Sequence, residues 1–217
     1  MLRRNAREDV ANVLPNLTAL ARQASDCSST AELLGVEGTA ARLYFARFTD
    51  MLRPEARTTF AAAGPLQRTR RPPLDPLNCL LSYCYALLSK DLTATCYSVG
   101  LDPYIGLYHH PRFGRPALAL DLMEEFRPLL AESVVIALIN NGEIAESDFV
   151  RRGIGVALTD AGRRTVLRAY ERRLSTEIRH PEFGYTISYR RALEVQVRLF
   201  AAYLLGEVPA YVPFRTR

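Results

Sequence analysis

Asp75-Pro-Leu-Asn-Cys-Leu-Leu-Ser-Tyr-Cys-Tyr-Ala-Leu-Leu-Ser-Lys-Asp-Leu-Thr-Ala-Thr-Cys-Tyr-Ser-Val-Gly100 is the stretch that decides the fold. Asp75 suits an N-cap, and Pro76 suits the first helical position, where its missing N–H costs nothing. Leu80, Leu81, Leu87 and Leu88 then place apolar side chains around most of the helix surface. Such a helix belongs in the middle of a structure and not on its skin. Gly100 ends it.

Working outward, helical spacing recurs on both sides. Residues 8–25 carry it, with Pro15 as a break. A stronger helix is expected from about Ser29 to Leu52, with Ser28, Ser29 or Thr30 as cap and Glu32 in the first turn, where negative charge is favoured. A loop is expected from Pro54 to Pro73. Beyond Gly100 the pattern resumes from Ala117 to Phe126, then from Pro128 to Asn140. Residues 143–158 are mixed, and Gly153-Ile-Gly-Val-Ala-Leu reads as a short hairpin. Thr159 caps a helix expected to run to His180-Pro181, and a last helix spans about Ile187 to Leu205. The expected class is therefore mainly α, one helical domain over residues 1–217 with at most a hairpin around 143–158.

The chain has 217 residues, 48% of them apolar, which suffices for one core. The first residues are charged, with no apolar stretch after Met1 to make a signal peptide. No run approaches the roughly 20 apolar residues of a spanning helix. A cytoplasmic protein without membrane contact is expected. Cys27, Cys79, Cys84 and Cys96 lack metal-site spacing and read as reduced thiols, most of them buried. Net charge is +5, and Lys90 is the only lysine. Guanidinium thus carries nearly all the positive charge, which suits a polyanion, although codon bias also yields arginine.

Acidic and imidazole side chains supply the candidate chemistry. Asp121 and Glu124 lie three apart on a predicted helix, hence on one face. Two such carboxylates repel unless a cation or proton intervenes. Spacing alone favours an acidic face paired with Arg127 or Arg115. Either His109 or His110 could join them, and Glu37 sits between Gly35 and Gly38 in a helical pattern. Two helical glycines flanking a carboxylate suggest close approach of a backbone or ligand. Oxygen and imidazole donors suit a divalent ion acting on phosphate. Arg112 and Arg115 flank the histidines and are the favoured phosphate contacts. Arg68, Arg70 and Arg71 form a second cluster, and Arg164, Arg168 and Arg172 share a helix face. His180 reads as structural, its ring at a helix end where positive charge is favoured.

Several of these segments together resemble one known family. They are Leu34-Gly-Val-Glu-Gly-Thr-Ala-Ala-Arg-Leu-Tyr-Phe45, Gly100-Leu-Asp-Pro-Tyr-Ile-Gly106, and His109 followed by Gly114-Arg-Pro-Ala-Leu-Ala-Leu-Asp-Leu-Met-Glu-Glu-Phe-Arg-Pro128. Tyr189-Arg-Arg, Gln196 and Tyr211-Val-Pro-Phe add to the likeness. The chain resembles the helical catalytic domain of the CRISPR-associated spacer integrase, the adaptation endonuclease often called Cas-one.

That resemblance implies a metal-dependent DNA endonuclease and integrase of antiviral defence, using Mg²⁺ or Mn²⁺. It implies Glu37, His109 and Asp121 as metal ligands, with Glu124 assisting. It implies DNA partners (prespacer, CRISPR repeat and branched forms), a small ferredoxin-like adaptation subunit, and a homodimer. The family's N-terminal β-rich domain, which builds much of that dimer, is not in this sequence, so dimerisation is not expected to follow from the helical part alone. The alternative expectation is a catalytically incompetent DNA-binding helical module.

Overall fold

In the computed structural model, Asp75 caps the central helix as its residue type dictates: its Oδ1 accepts from the Asn78 N–H at 2.7 Å. The structure describes residues 1–61 and 64–215. In chain order the helices are α1 (Leu2–Asn5), α2 (Leu14–Asp26), α3 (Thr30–Ala46), α4 (Pro54–Phe60), α5 (Pro76–Val99), α6 (Ala117–Met123), α7 (Ser133–Asn140), α8 (Asp160–Leu174) and α9 (Tyr189–Leu204). A 3-10 turn at Phe48–Met51 follows α3, and a π-helical segment, Arg127–Glu132, precedes α7. Strands β1 (Phe149–Arg152) and β2 (Gly155–Leu158) pair antiparallel, as do β3 (Glu177–Arg179) and β4 (Thr186–Ser188). The mainly α expectation holds. No helix among the described residues is long and apolar enough to cross a membrane.

The chain divides into two compact units. The first comprises Met1–Ser82 and Val135–Thr165. Its core gathers Phe45 stacked on Phe48 at 5.8 Å, with Met51, Leu52, Leu77 and Leu80 wholly buried. Asn140 pins the 3-10 turn: its Nδ2 donates to Met51 O, and its Oδ1 accepts from Arg53 N–H, both at 2.9 Å. Gly155 on the expected hairpin lies so near Pro72 that a Cβ there would sit 2.6 Å from the proline's own. Arg68 is consumed by packing. It donates to buried Asn78 and lies over the Phe45 ring, so only Arg70 and Arg71 of that expected cluster are exposed.

The second unit comprises Tyr83–Val134 and Val166–Arg217. Leu88, Leu92, Cys96, Phe126, Leu130 and Val197 are buried in it without remainder. Two buried hydroxyls in it find carboxylates: Tyr85 Oη donates to Glu132 at 2.7 Å and Tyr170 Oη to Asp91 at 2.8 Å. Burial pushes the Cys96 thiol up to about 11, and that of Cys79 in the first unit likewise, which fits inert reduced cysteines.

Three local expectations are corrected. Pro54 starts α4 where a loop was expected, because proline at the first helical position is a start signal as well as a break. The helix from Thr159 stops at Leu174, and β3–β4 replaces its end. His180 therefore closes a hairpin strand. It is 2% exposed and stacks on Phe183 at 4.8 Å and Tyr185 at 5.8 Å. Burial holds its pKa below the ordinary value, so the ring is structural but neutral, not a cation on a helix dipole.

Candidate active site

The loop between α5 and α6 is shaped by backbone before any side chain acts. Gly100, at φ 95°, ends α5: Leu101 N–H returns to Cys96 O at 2.9 Å and Gly100 N–H to Tyr97 O at 3.1 Å. These two bonds form a Schellman cap, which needs a residue in the left-handed region. Asp102 then accepts from the Tyr104 N–H at 2.9 Å. Pro103 O takes the Leu118 N–H at 2.9 Å, satisfying an otherwise unpartnered donor at the start of α6. The loop is thus laid across that start. Gly106 permits the contact, since a Cβ there would stand 2.7 Å from Ala117 Cβ and 2.9 Å from His109 O.

Asp121 faces this loop from α6. Its Oδ2 accepts from the N–H groups of Leu107 at 2.7 Å and Tyr108 at 3.0 Å. Its Oδ1 accepts from the His109 N–H at 2.9 Å and pairs with His109 Nδ1 at 2.7 Å. A carboxylate offers about four lone-pair positions, and these contacts use them all. An ionised carboxylate can only accept, so the Nδ1 contact calls for a proton on Nδ1, and a neutral ring would then leave Nε2 its lone pair. Both side chains are mostly covered, at 17% exposure for His109 and 14% for Asp121. A histidine with one nitrogen fixed by a carboxylate is the usual support for a metal ligand or a proton carrier.

Glu124 lies one turn on and accepts from Arg127 Nη1 at both oxygens, 2.7 and 2.9 Å. The arginine partner allowed by spacing is thus real for Glu124, whereas Asp121 has the loop and the imidazole instead. Glu124 is the more open of the two, at 36% exposure. Arg112 and Arg115 close a turn further along the loop, with Arg115 N–H donating to Arg112 O at 2.9 Å. Glu37 belongs to the first unit, half-buried on α3. Among the described residues, a Cβ on Gly35 or Gly38 would meet nothing within 4 Å. The close approach expected at those glycines is not made by them.

The structure therefore joins His109 to Asp121 and ties Glu124 to Arg127, all in the second unit. Among the described residues no group of three or more His, Cys, Asp or Glu side chains is gathered as a metal cluster. The donor chemistry nonetheless fits a divalent cation: an imidazole nitrogen fixed by a carboxylate, with a further carboxylate one turn away. Residue types pointed to these positions, but the backbone N–H groups that hold Asp121 carry no such signal. Gly106 was the one hint, as a glycine three residues before the histidine.

On the α8 face, Arg164, Arg168 and Arg172 are exposed. Acids of the same helix pair with other arginines: Glu171 with Arg190 at 2.5 Å, and Asp160 with Arg163.

Comparison with known proteins gives this geometry a context. The profile of the family described as CRISPR associated protein Cas1 matches residues 1–172. A CRISPR-associated exonuclease Cas4/endonuclease Cas1 fusion from Geobacter sulfurreducens is 51% identical over the whole of this chain, which spans 40% of that protein. Among solved structures, a casposase bound to integration product superposes with a TM-score of 0.78 at 27% identity, covering 95% of this chain and 54% of that one. A Cas6-RT-Cas1–Cas2 complex gives 0.79 at 28% identity, covering 94% of this chain and 22% of that one. With a family profile over most of its length and a relative so similar throughout, the chain belongs to the family described as CRISPR associated protein Cas1.

Proposed function

We propose that the chain carries the catalytic centre of a metal-dependent DNA endonuclease and integrase that inserts spacer DNA into a CRISPR array. The observation that carries the reading is the His109–Asp121 pair, fixed by three consecutive backbone N–H groups on a loop flanked by arginines. Family membership supports the reaction class, and the casposase neighbour, bound to integration product, supports integration as the reaction.

His109 and a carboxylate of the 121–124 turn would hold the ion. The filled lone pairs of Asp121 favour Glu124 as that carboxylate, with Asp121 orienting His109; this reverses the order of the two acids implied by the resemblance. Mg²⁺ or Mn²⁺, when bound, polarises the phosphodiester and stabilises the oxygens that attack and leave. The protein's own part is positional. Asp121 fixes the loop and the ring, His109 presents Nε2, and Arg112 and Arg115 bind phosphate oxygens. In integration the 3′-hydroxyl oxygen forms a bond to phosphorus as the bond to the departing oxygen breaks, and the proton lost by the hydroxyl is balanced by one taken up by the departing oxygen. Water in place of the hydroxyl gives nicking. A second copy and a Cas2-like subunit are the proposed protein partners, the latter supported by the Cas1–Cas2 neighbour.

The test is nicking of branched DNA with Mn²⁺. Parent protein should cut, and His109→Ala should lose at least about 100-fold while keeping its DNA affinity, the scale of removing one group used only in the transition state. A parent that binds but never cuts would support the DNA-binding module instead.

A further inference from the structure

Phe113 stands at the apex of the turn that carries Arg112 and Arg115, and it is fully exposed, at 110%. The turn is well defined. Arg115 N–H closes onto Arg112 O at 2.9 Å, and Gly114 takes φ 68°. A positive φ at the third of four residues is the type II signature, which leaves Phe113 at the second, outward position. The loop's other limb is anchored at residues 107–109 by Asp121. A whole benzyl side chain is therefore held in water on an anchored support. Left there it gains nothing from packing.

Its surroundings say what it fits. Guanidinium groups one residue before and two residues after suit phosphates, while the ring between them suits the flat face of a base. Chain length sets the reach. Four residues from His109 extend at most roughly 14 Å, and bases follow one another about every 3.4 Å along a strand. The ring thus falls within about four nucleotides of a phosphodiester held at His109. Inside an intact duplex no base face is open, and opening one requires unstacking. At a branch or strand end the face is already open.

We propose, resting on the DNA-processing reading above, that Phe113 stacks on an unpaired base beside the reacting phosphodiester while Arg112 and Arg115 bind the flanking phosphates. The loop thereby selects branched over continuous DNA.

The chain contains no tryptophan, so Phe113→Trp places the protein's single tryptophan at the turn. Binding is followed without divalent metal, by anisotropy of labelled DNA together with tryptophan emission. Branched DNA should quench the tryptophan and continuous duplex should not. Phe113→Ala should weaken binding to branched DNA by about 10-fold, the scale of one lost stacking contact. Its salt dependence should stay unchanged, because the ring displaces no counterion. Arg115→Ala should instead lower the salt slope by about 1. Binding without quenching, or equal loss on both DNAs, would overturn the stacking role and leave the nuclease reading standing. If Phe113→Ala lowers the oligomeric mass and leaves DNA affinity intact, the ring is a protein contact and the proposal fails. A parent that binds no DNA would end both readings.

Discussion

Two segments of the second unit are each gripped by one carboxylate, the first on α6 and the second just after it, yet they differ in kind. Loop residues 107–109 are held by Asp121 through backbone N–H groups and one imidazole, near the surface. Residues 211–214 are held by Glu125, which accepts from Phe214 N–H at 2.6 Å, Gln196 Nε2 at 3.1 Å and the Tyr211 hydroxyl. There Phe214 stacks on buried Phe126 at 5.2 Å. Burial and the neighbouring Glu125 push the Tyr211 hydroxyl well above its ordinary pKa. One carboxylate fixes a loop together with the ring of its histidine. The other fixes the chain's end into the core. The same bonding pattern serves presentation in one place and cohesion in the other.

The sharpest way to break the comparison is to remove each carboxylate in turn. Asp121→Ala should cost at least about 100-fold in DNA nicking, since a mispositioned catalytic group loses rate on that scale. Its melting temperature should fall by only a few degrees, because water can reach the freed N–H groups. Glu125→Ala should do the reverse. Unpaired buried donors cost about 2–3 kcal/mol, roughly 5–10 °C for a chain of this size, with nicking at permissive temperature reduced less than about 10-fold. Calorimetry and the nicking assay together decide the matter, and parallel losses in both variants would erase the distinction.

A smaller effect is expected at Gly106. Gly106→Ala forces a Cβ to within 2.7 Å of Ala117, an overpacking cost of about 1–3 kcal/mol. Amide exchange at residues 107–109 should quicken while exchange at Phe214 does not. Acid should loosen the other segment. His180 Nδ1 accepts from the N–H groups of Glu182 and Phe183, both at 3.3 Å, and the ring packs edge-on against Phe214. Its folded pKa lies below the unfolded one. Its contribution to stability is therefore complete above about pH 6.5 and declines as pH falls through the lowered folded value. His180→Asn, whose oxygen can replace the acceptor, should flatten denaturation midpoints measured between pH 7 and pH 5. An unchanged slope would show that another group sets it.

Much of the fold was legible because its signals are local. Asp75-Pro76 marked the start of α5. Thr159 marked that of α8, where its Oγ1 accepts from Gly162 N–H at 3.1 Å. Gly153 marked the first hairpin. The second hairpin escaped because Thr176 to Ser188 reads ambiguously. His180-Pro181 fits a helix end, and only Gly184, at φ 72°, betrays the reversal. The π-helical segment escaped because five-residue hydrogen bonding, such as Ser133 N–H to Pro128 O, leaves no periodic trace in so short a run. At the candidate site, residue types announced the acids and the histidine, but three of the four bonds that hold Asp121 come from backbone N–H groups, which carry no residue-type signal.

The account turns on the tautomer of His109. Nitrogen-15 NMR of the imidazole rings, assigned with His109→Ala, measures it directly. A proton on Nδ1, with Nε2 bare and shifting when Mg²⁺ is added, is the predicted result. A proton on Nε2, or an Nε2 indifferent to divalent metal while DNA is still nicked, would contradict it.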